Sequence, residues 1–467
     1  MRRDDAKSNA GRFVGLTPTD ETKLTRPTIV QVQLRTPVKH ALDAAAEEPT
    51  MGISSPSGVN LSGLQQVMSE HDIVKVEPSF RSTNVRREFV APDSNLLQDS
   101  EKAKYLDLHF PPGADVKAIV QKLNQLPEVE KAIEMPTAIP PNAIPSDPLI
   151  GSTDQVSVDP ATGLEHEWYV FRCAADQAWA SASGFNVIIA DIDFGFLTSH
   201  QDLVANLDLS HAHNAVDGSA NVSVGGSIDH GTGVMGLAAA AANGMGMAGF
   251  AFSASLWPIQ ANQGAGASLP GDSFANAIAW VSSQDTGGKR LIINLEVQTG
   301  NFGNYEMVPA VNQAIRDAIA QGIVVCVAAG NGDKDAGVGD DGLPITPTGS
   351  ILVGATQYDP SQNVRASFSN FGSRIVVSAP GDSSHDVTCS TSSDDSYRNG
   401  FGGTSGATPK ISGTVALMLE VNPSLTPATV QQILVATGSP IITDDGKPIG
   451  VFLNAGAAVA QASAQPV

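Results

Sequence analysis

Asn186-Val187-Ile188-Ile189-Ala190-Asp191-Ile192-Asp193-Phe194-Gly195 decides the fold. A short, nearly continuous apolar run reads as a strand buried on both faces, the pattern of a parallel sheet covered by helices. It delivers Asp193 at its C-terminal end, where open α/β sheets place their sites. Working outward, Asp229-His230-Gly231-Thr232-Gly233-Val234-Met235-Gly236 runs into Leu237-Ala238-Ala239-Ala240. A histidine there opens a small-residue helix whose glycines permit close packing. Further on, Gly403-Thr404-Ser405-Gly406-Ala407-Thr408-Pro409 precedes a helical apolar pattern at Ile411, Val415, Leu417 and Met418. That places a hydroxyl at a helix N-terminus, where backbone N–H groups point outward. A nucleophile needs such a place, because attack on a carbonyl creates an oxyanion that must be stabilised. Singly, each residue has a plain reading: a strand-end aspartate caps, a histidine fills a core, a serine caps. Together they are a serine nucleophile and the two partners it requires.

The chain order Asp, His, Ser is that of subtilisin, and from about Asp147 to Val459 the chain resembles the subtilisin-like serine proteases. Other segments carry the resemblance too: Thr198-Ser199-His200-Gln201-Asp202-Leu203, Gly322 to Asn331, Arg365 to Gly372, Ala379-Pro380-Gly381 and Gly450 to Ala455. The resemblance implies a serine endopeptidase acting on protein or peptide substrates. Ser405 would attack the carbonyl, His230 would carry the proton, and Asp193 would orient the imidazole. Asn331 would donate its side-chain amide to the oxyanion. Leu295, Glu296, Val297 and Gln298, with Ala329 and Gly330, would bind the substrate backbone. A structural calcium site would take Asp202 and Asn243. Gly244-Met245-Gly246-Met247-Ala248-Gly249 has dinucleotide-fingerprint spacing, but it follows a helix instead of an apolar strand, so that reading is rejected.

The departures from the family are informative. Phe194 stands where the family has Thr or Ser, Gly406 where it usually has Met, and Lys410 where it usually has His. Glu296 and Gln298 replace small residues of the substrate strand. Gln298 is expected to narrow the pocket before the cut. Glu296 is expected to place a carboxylate near the cleft and favour cationic side chains. Two rivals remain: a catalytically silent binding protein of the same fold, and an esterase or transacylase using the same three residues.

Of the net charge of −21, little belongs to the N-terminal third. Residues 1–147 carry 17 Lys and Arg against 20 Asp and Glu, whereas residues 148–467 carry 10 against 28. Such acidity argues against nucleic acid. Cys173, Cys326 and Cys389 are too few and scattered for a disulfide framework or zinc site. No apolar run reaches membrane-spanning length. No Sec signal peptide is recognisable, so the protein is expected to be cytoplasmic or exported by another route.

Residues 1–27 are polar and aperiodic, and are expected to form a flexible tail. Residues 28–139 read as two β-α-β units, a small ferredoxin-like α+β sandwich. It resembles the family's inhibitory propeptide in size, position and element order, and would act as an intramolecular inhibitor of a zymogen. Residues 140–147 form a Pro-rich linker, residues 148–460 the α/β catalytic domain with helices on both faces of a parallel sheet, and residues 461–467 a tail.

Overall fold

The computed structural model describes residues 28–35, 39–41, 52–54, 61–71, 73, 75–78, 104–111, 114, 116–134, 144–225, 227–262, 272–443 and 446–465. The expected tail over 1–27 and the first half of the Pro-rich linker, 140–143, lie outside the described residues. The chain divides into two compact units, Met1–Ile139 and Pro140–Val467.

The first unit holds β1 (Thr28–Leu34), α1 (Ser62–Glu70), β2 (Lys75–Pro78), β3 (Tyr105–Phe110), α2 (Val116–Asn124) and β4 (Val129–Glu134). The four strands are antiparallel in the order β2-β3-β1-β4. Alternation decides what they bury. Val30, Val32 and Leu34 pack with Leu106, Leu108 and Phe110, under Leu64 and Val67 of α1 and Ile119 and Leu123 of α2.

The second unit is built on β5 (Val187–Asp193), β6 (His213–Asn214), α3 (Ile228–Ala239), β7 (Ser255–Gln260), α4 (Asp272–Ser282), β8 (Arg290–Leu295), α5 (Pro309–Ala320), β9 (Val324–Ala328), β10 (Ile351–Gln357), β11 (Val364–Arg365), β12 (Val377–Pro380), α6 (Thr404–Val421), α7 (Pro427–Thr437), β13 (Val451–Phe452) and α8 (Ala455–Ser463). Its sheet runs β13-β12-β10-β9-β8-β5-β7-β6, with β11 paired antiparallel to β10 and the other pairings parallel. The chain builds outward from β5 in one direction through β7 and β6, and in the other through β8 to β13. Strand order therefore reverses at β5 and β8, and the crevice beyond their C-terminal ends is where such sheets take ligands.

The apolar runs serve two cores at once. Val187 and Ile189 face the core of α3 and α6, whereas Ile188, Ala190 and Ile192 face that of α4 and α5. Neighbouring strands obey the same alternation: Ile292, Val324 and Cys326 lie on the first side, Leu291, Ile293, Leu295, Val325 and Val327 on the second. Asp191 and Asp193 share the parity of Ile189, and Asn294 and Glu296 that of Ile292, so all four side chains project toward α3 and α6. Helix α6 is buried from Thr404 to Leu419, the mark of a central helix rather than a surface one. Its hydroxyls bond back within the helix: Thr408 donates to the Thr404 carbonyl at 2.7 Å and Thr414 to that of Lys410 at 2.9 Å. All three cysteines are free and buried. Among the described residues no helix is long and apolar enough to cross a membrane.

Candidate active site

Asp193 ends β5 fully buried, while His230, in the first turn of α3, keeps 27% of its side chain exposed. The two helices and the strand bring their side chains to one crevice. His230 Nδ1 bonds Asp193 Oδ2 at 2.7 Å and Oδ1 at 2.9 Å. Asp193 Oδ1 also accepts the Phe194 N–H at 2.5 Å. With both oxygens on Nδ1, the ring's other nitrogen is left for the cleft. Surrounding protein pulls the His230 pKa down, but the Asp193 charge and hydrogen bond, with Asp191 behind, outweigh it and raise the pKa above the ordinary value. The ring sits between Phe194, edge-on at 5.4 Å, and Phe401, tilted at 5.5 Å. Phe194 thus packs directly on the imidazole.

Ser405 lies in the first turn of α6 and is 8% exposed. Its hydroxyl donates to the Glu296 carbonyl at 3.0 Å, and among the described residues no hydrogen bond joins it to His230. Such bonds commonly tighten only when substrate is present. As a first-turn residue, Ser405 has a backbone N–H without an intrahelical acceptor. Asn331 completes the group. Its Oδ1 accepts from the Thr404 N–H at 2.8 Å and the Thr404 hydroxyl at 3.1 Å. Pinning the oxygen turns Nδ2 away, beside Gly403, where an added Cβ would meet Nδ2 at 3.0 Å. An open cleft of 320 Å³ runs past His230, Asn331, Phe401 and Gly403.

The segments around Gln298 and Gly330 are tied to their neighbours by hydrogen bonds. The Asn331 N–H donates to Gln298 Oε1 at 3.0 Å, and the Gly330 N–H to the Thr404 hydroxyl at 3.2 Å. Gly330 has φ +97°, and a Cβ there would lie 2.3 Å from the Phe302 carbonyl, so only glycine fits the turn. Asn370 clamps the same turn, donating to the carbonyls of Ala329 at 2.6 Å and Phe302 at 2.8 Å. Leu295, Val297 and Ala329 are buried, with Leu295 and Val297 facing the α4 and α5 core. These residues can offer backbone rather than side chain.

Glu296 corrects an expectation. Its side chain is 1% exposed and its carboxyl lies beside those of Asp191 and Asp193, so it presents no carboxylate to the cleft. The reason is pleat parity: Glu296 continues the Ile292, Asn294 series, which faces α6. The charged side chain along the cleft is Arg398, which pairs with Asp229 at 2.9 Å.

Asp202 and Asn243 do come together, but as acceptor and donor of one hydrogen bond. Asp202 Oδ1 accepts from Asn243 Nδ2 at 3.1 Å, and Oδ2 from the Met247 N–H at 3.0 Å and the Tyr397 hydroxyl at 2.8 Å. Asp147 in turn accepts the Asn243 and Gly244 N–H groups at 3.0 and 2.9 Å. Calcium takes a cage of oxygens, and a carboxylate already occupied by three donors does not fit one. The Gly244–Gly249 loop is anchored by these bonds.

Several residues here escape a motif reading. Thr404 aims Asn331, Phe401 backs His230, and Asn370 holds the Gly330 turn. Thr404 lies in the serine block, Phe401 just before it and Asn370 in the Arg365–Gly372 segment, but nothing local in the sequence marks their partners.

The sequence profile of the subtilase family matches residues 184–457. An extracellular protease of Xanthomonas campestris pv. campestris is 35% identical, over 61% of this chain and 53% of its own length. Subtilisin NAT of Bacillus subtilis subsp. natto is 34% identical, over 55% of this chain and 61% of its own. The chain thus spans between half and two thirds of these curated relatives. Among solved structures, a protease of Pseudoalteromonas arctica superposes with a TM-score of 0.51 at 28% identity, over 64% of this chain and 97% of that one.

Proposed function

The chain belongs to the subtilase family, and from that premise we propose that it is a serine endopeptidase that hydrolyses peptide bonds through an acyl-enzyme. One observation carries the reading: His230 and Asn331 line one cleft with Gly402 and Gly403, Asp193 is bonded to His230, and Ser405 follows two residues after Gly403 at the start of α6. In this reading Ser405 attacks the peptide carbonyl and gives its proton to His230. The resulting imidazolium is stabilised by Asp193 and protonates the leaving amine; water then repeats the sequence in reverse. Asn331 Nδ2 and the Ser405 N–H take the oxyanion. Gln298 and the Gly330 turn supply backbone to an extended substrate.

The N-terminal unit serves, in the same reading, as the propeptide of a zymogen and an inhibitor of its own cleft. Its two β-α-β units support this by their likeness to the family's propeptides in size and element order. No cation is assigned a part.

A fluorophosphonate reagent tests the enzyme reading directly. Stoichiometric labelling of the wild-type chain, with none in Ser405→Ala, is expected, together with peptide hydrolysis by the first only. Absence of labelling would favour a silent binding protein. Labelling with ester but no peptide turnover would favour an esterase.

A further inference from the structure

Beneath the crevice, β5 and β8 bring a second set of carboxyls together. Asp191, two residues before Asp193, is 1% exposed, and Glu296 is likewise 1% exposed. Strand register places Asn294 beside Asp191, and oxygens of Asp191, Asp193 and Glu296 lie within 4.8 Å of one another. Asn294 Nδ2 donates to Asp191 Oδ1 at 3.3 Å. No described donor reaches Asp191 Oδ2, either oxygen of Glu296, or Asn294 Oδ1. The pocket therefore holds more acceptors than donors.

Buried carboxylates this close together and short of donors repel one another unless one carries a proton. Two full charges buried here, beside the charge of Asp193, would cost many kcal/mol, so the group takes up a proton instead. We propose that Asp191 and Glu296 hold one proton between them through the neutral range, forming a positioning pair whose single negative charge lies behind Asp193 and His230. The proton belongs to the pair rather than to either residue.

The surroundings agree. Burial chiefly, then the neighbouring carboxylates, pushes both pKa values well above the ordinary range. The facing titratable groups are Asp193 on the same strand, His230 from α3 and Cys326 from β9. Lys410 of α6 is bound to Asp386 and the Pro380 carbonyl. Glu420 of α6 is bound to the N–H groups of Ser183, Gly184 and Phe185. Neither supplies a countercharge.

Two consequences follow. The pair's charge raises the His230 pKa, as that of Asp191 does. Its proton also keeps the Glu296 main chain, which receives the Ser405 hydroxyl, from bordering a doubly charged pocket. The second consequence rests on the reading of Ser405 and His230 as catalytic; the shared proton does not.

Infrared difference spectra of the full-length chain test the proton. At neutral pH the wild type should show a carboxylic-acid C=O band that is missing in Glu296→Gln and in Asp191→Asn, because an amide then donates to the remaining carboxylate. Other protonated carboxyls cancel in the difference. Identical spectra would overturn the proposal, as would a stoichiometric metal ion found in the wild type and lost in either variant. The pH profile of kcat/KM tests the positioning role. Each single variant keeps one charge and should hold the acid limb in place. Asp191→Asn with Glu296→Gln removes the charge and should move that limb to lower pH by about half a unit to one unit. A double variant that labels at Ser405 yet shows an unmoved limb would overturn the role. Should the double variant not fold, the single-variant spectra still decide the proton. Should the wild type neither label nor cleave, the catalytic reading fails while the band remains interpretable.

Discussion

Asn331 is aimed by another side chain. Its amide could rotate freely, yet the Thr404 N–H and hydroxyl both hold Oδ1, which leaves Nδ2 as the group free to donate. A donor fixed in advance costs no reorganisation when the oxyanion forms. Asn331→Ala should lower kcat roughly 10²–10³-fold, the loss known for one side-chain oxyanion donor in subtilisin itself, with KM nearly unchanged. Thr404→Val removes the hydroxyl but keeps the backbone bond, so a loss of about tenfold or less is expected. Steady-state kinetics on one peptide substrate separate the two; an effect confined to KM would contradict the role of Asn331. Ser405→Ala should lose measurable hydrolysis, since it removes the hydroxyl read as the nucleophile.

Helix α6 must carry Ser405 at its start while passing through the core, and Lys410 shows how it tolerates burial. Lys410 is fully buried, bonded to Asp386 Oδ2 at 2.5 Å and to the Pro380 carbonyl at 2.8 Å, with Nζ 4.2 Å from the Tyr169 ring centre. Burial lifts the Asp386 pKa to about 6 even with that cation beside it. Lys410→Met would strand the carboxylate and should destabilise the chain by about 3–5 kcal/mol. Adding Asp386→Leu removes the stranded charge and should recover most of the loss. Urea denaturation in a Ser405→Ala background, free of self-digestion, measures both. Equal stability of the single and double variants would show that the pair does not act as a unit.

Among the buried acids that shape the pH response of the second unit, Glu167 has a large shift. Glu167 is fully buried, accepting from the Ala248 N–H and the Tyr169 hydroxyl, both at 3.1 Å. Burial chiefly raises its pKa from 4.5 to about 8. Between those values the folded chain holds a proton that the unfolded chain has released. Its contribution to stability is therefore full below pH 4.5 and falls as pH rises toward 8. Glu167→Gln should flatten that slope and gain most, relative to wild type, near pH 8. Thermal melts across the window check it; parallel curves would refute it. The zymogen reading also belongs at this scale: wild-type protein should lose its N-terminal unit on standing, while pure Ser405→Ala should keep its full mass.

Much of this was legible without coordinates. The apolar run before Asp193 marks a two-sided buried strand, and the helix-opening His230 and Ser405 announce themselves through small residues, because periodicity and capping are local properties of a chain. The same alternation, followed from Ile292 through Asn294, would have turned Glu296 inward; reading it only as a replacement on a substrate strand put its carboxylate in the wrong place. What local pattern could not supply is partnership. Asp191 meets Glu296, Thr404 meets Asn331, and Asp202 meets Met247 and Tyr397 across long stretches of chain. Each meeting depends on the register of strands and helices brought together by the whole fold, and a slip of one residue would turn those side chains to the opposite face. The chain by itself thus determined which residues are available for chemistry. The tertiary structure decided which of them meet, because only packing sets where a side chain ends and what it finds there.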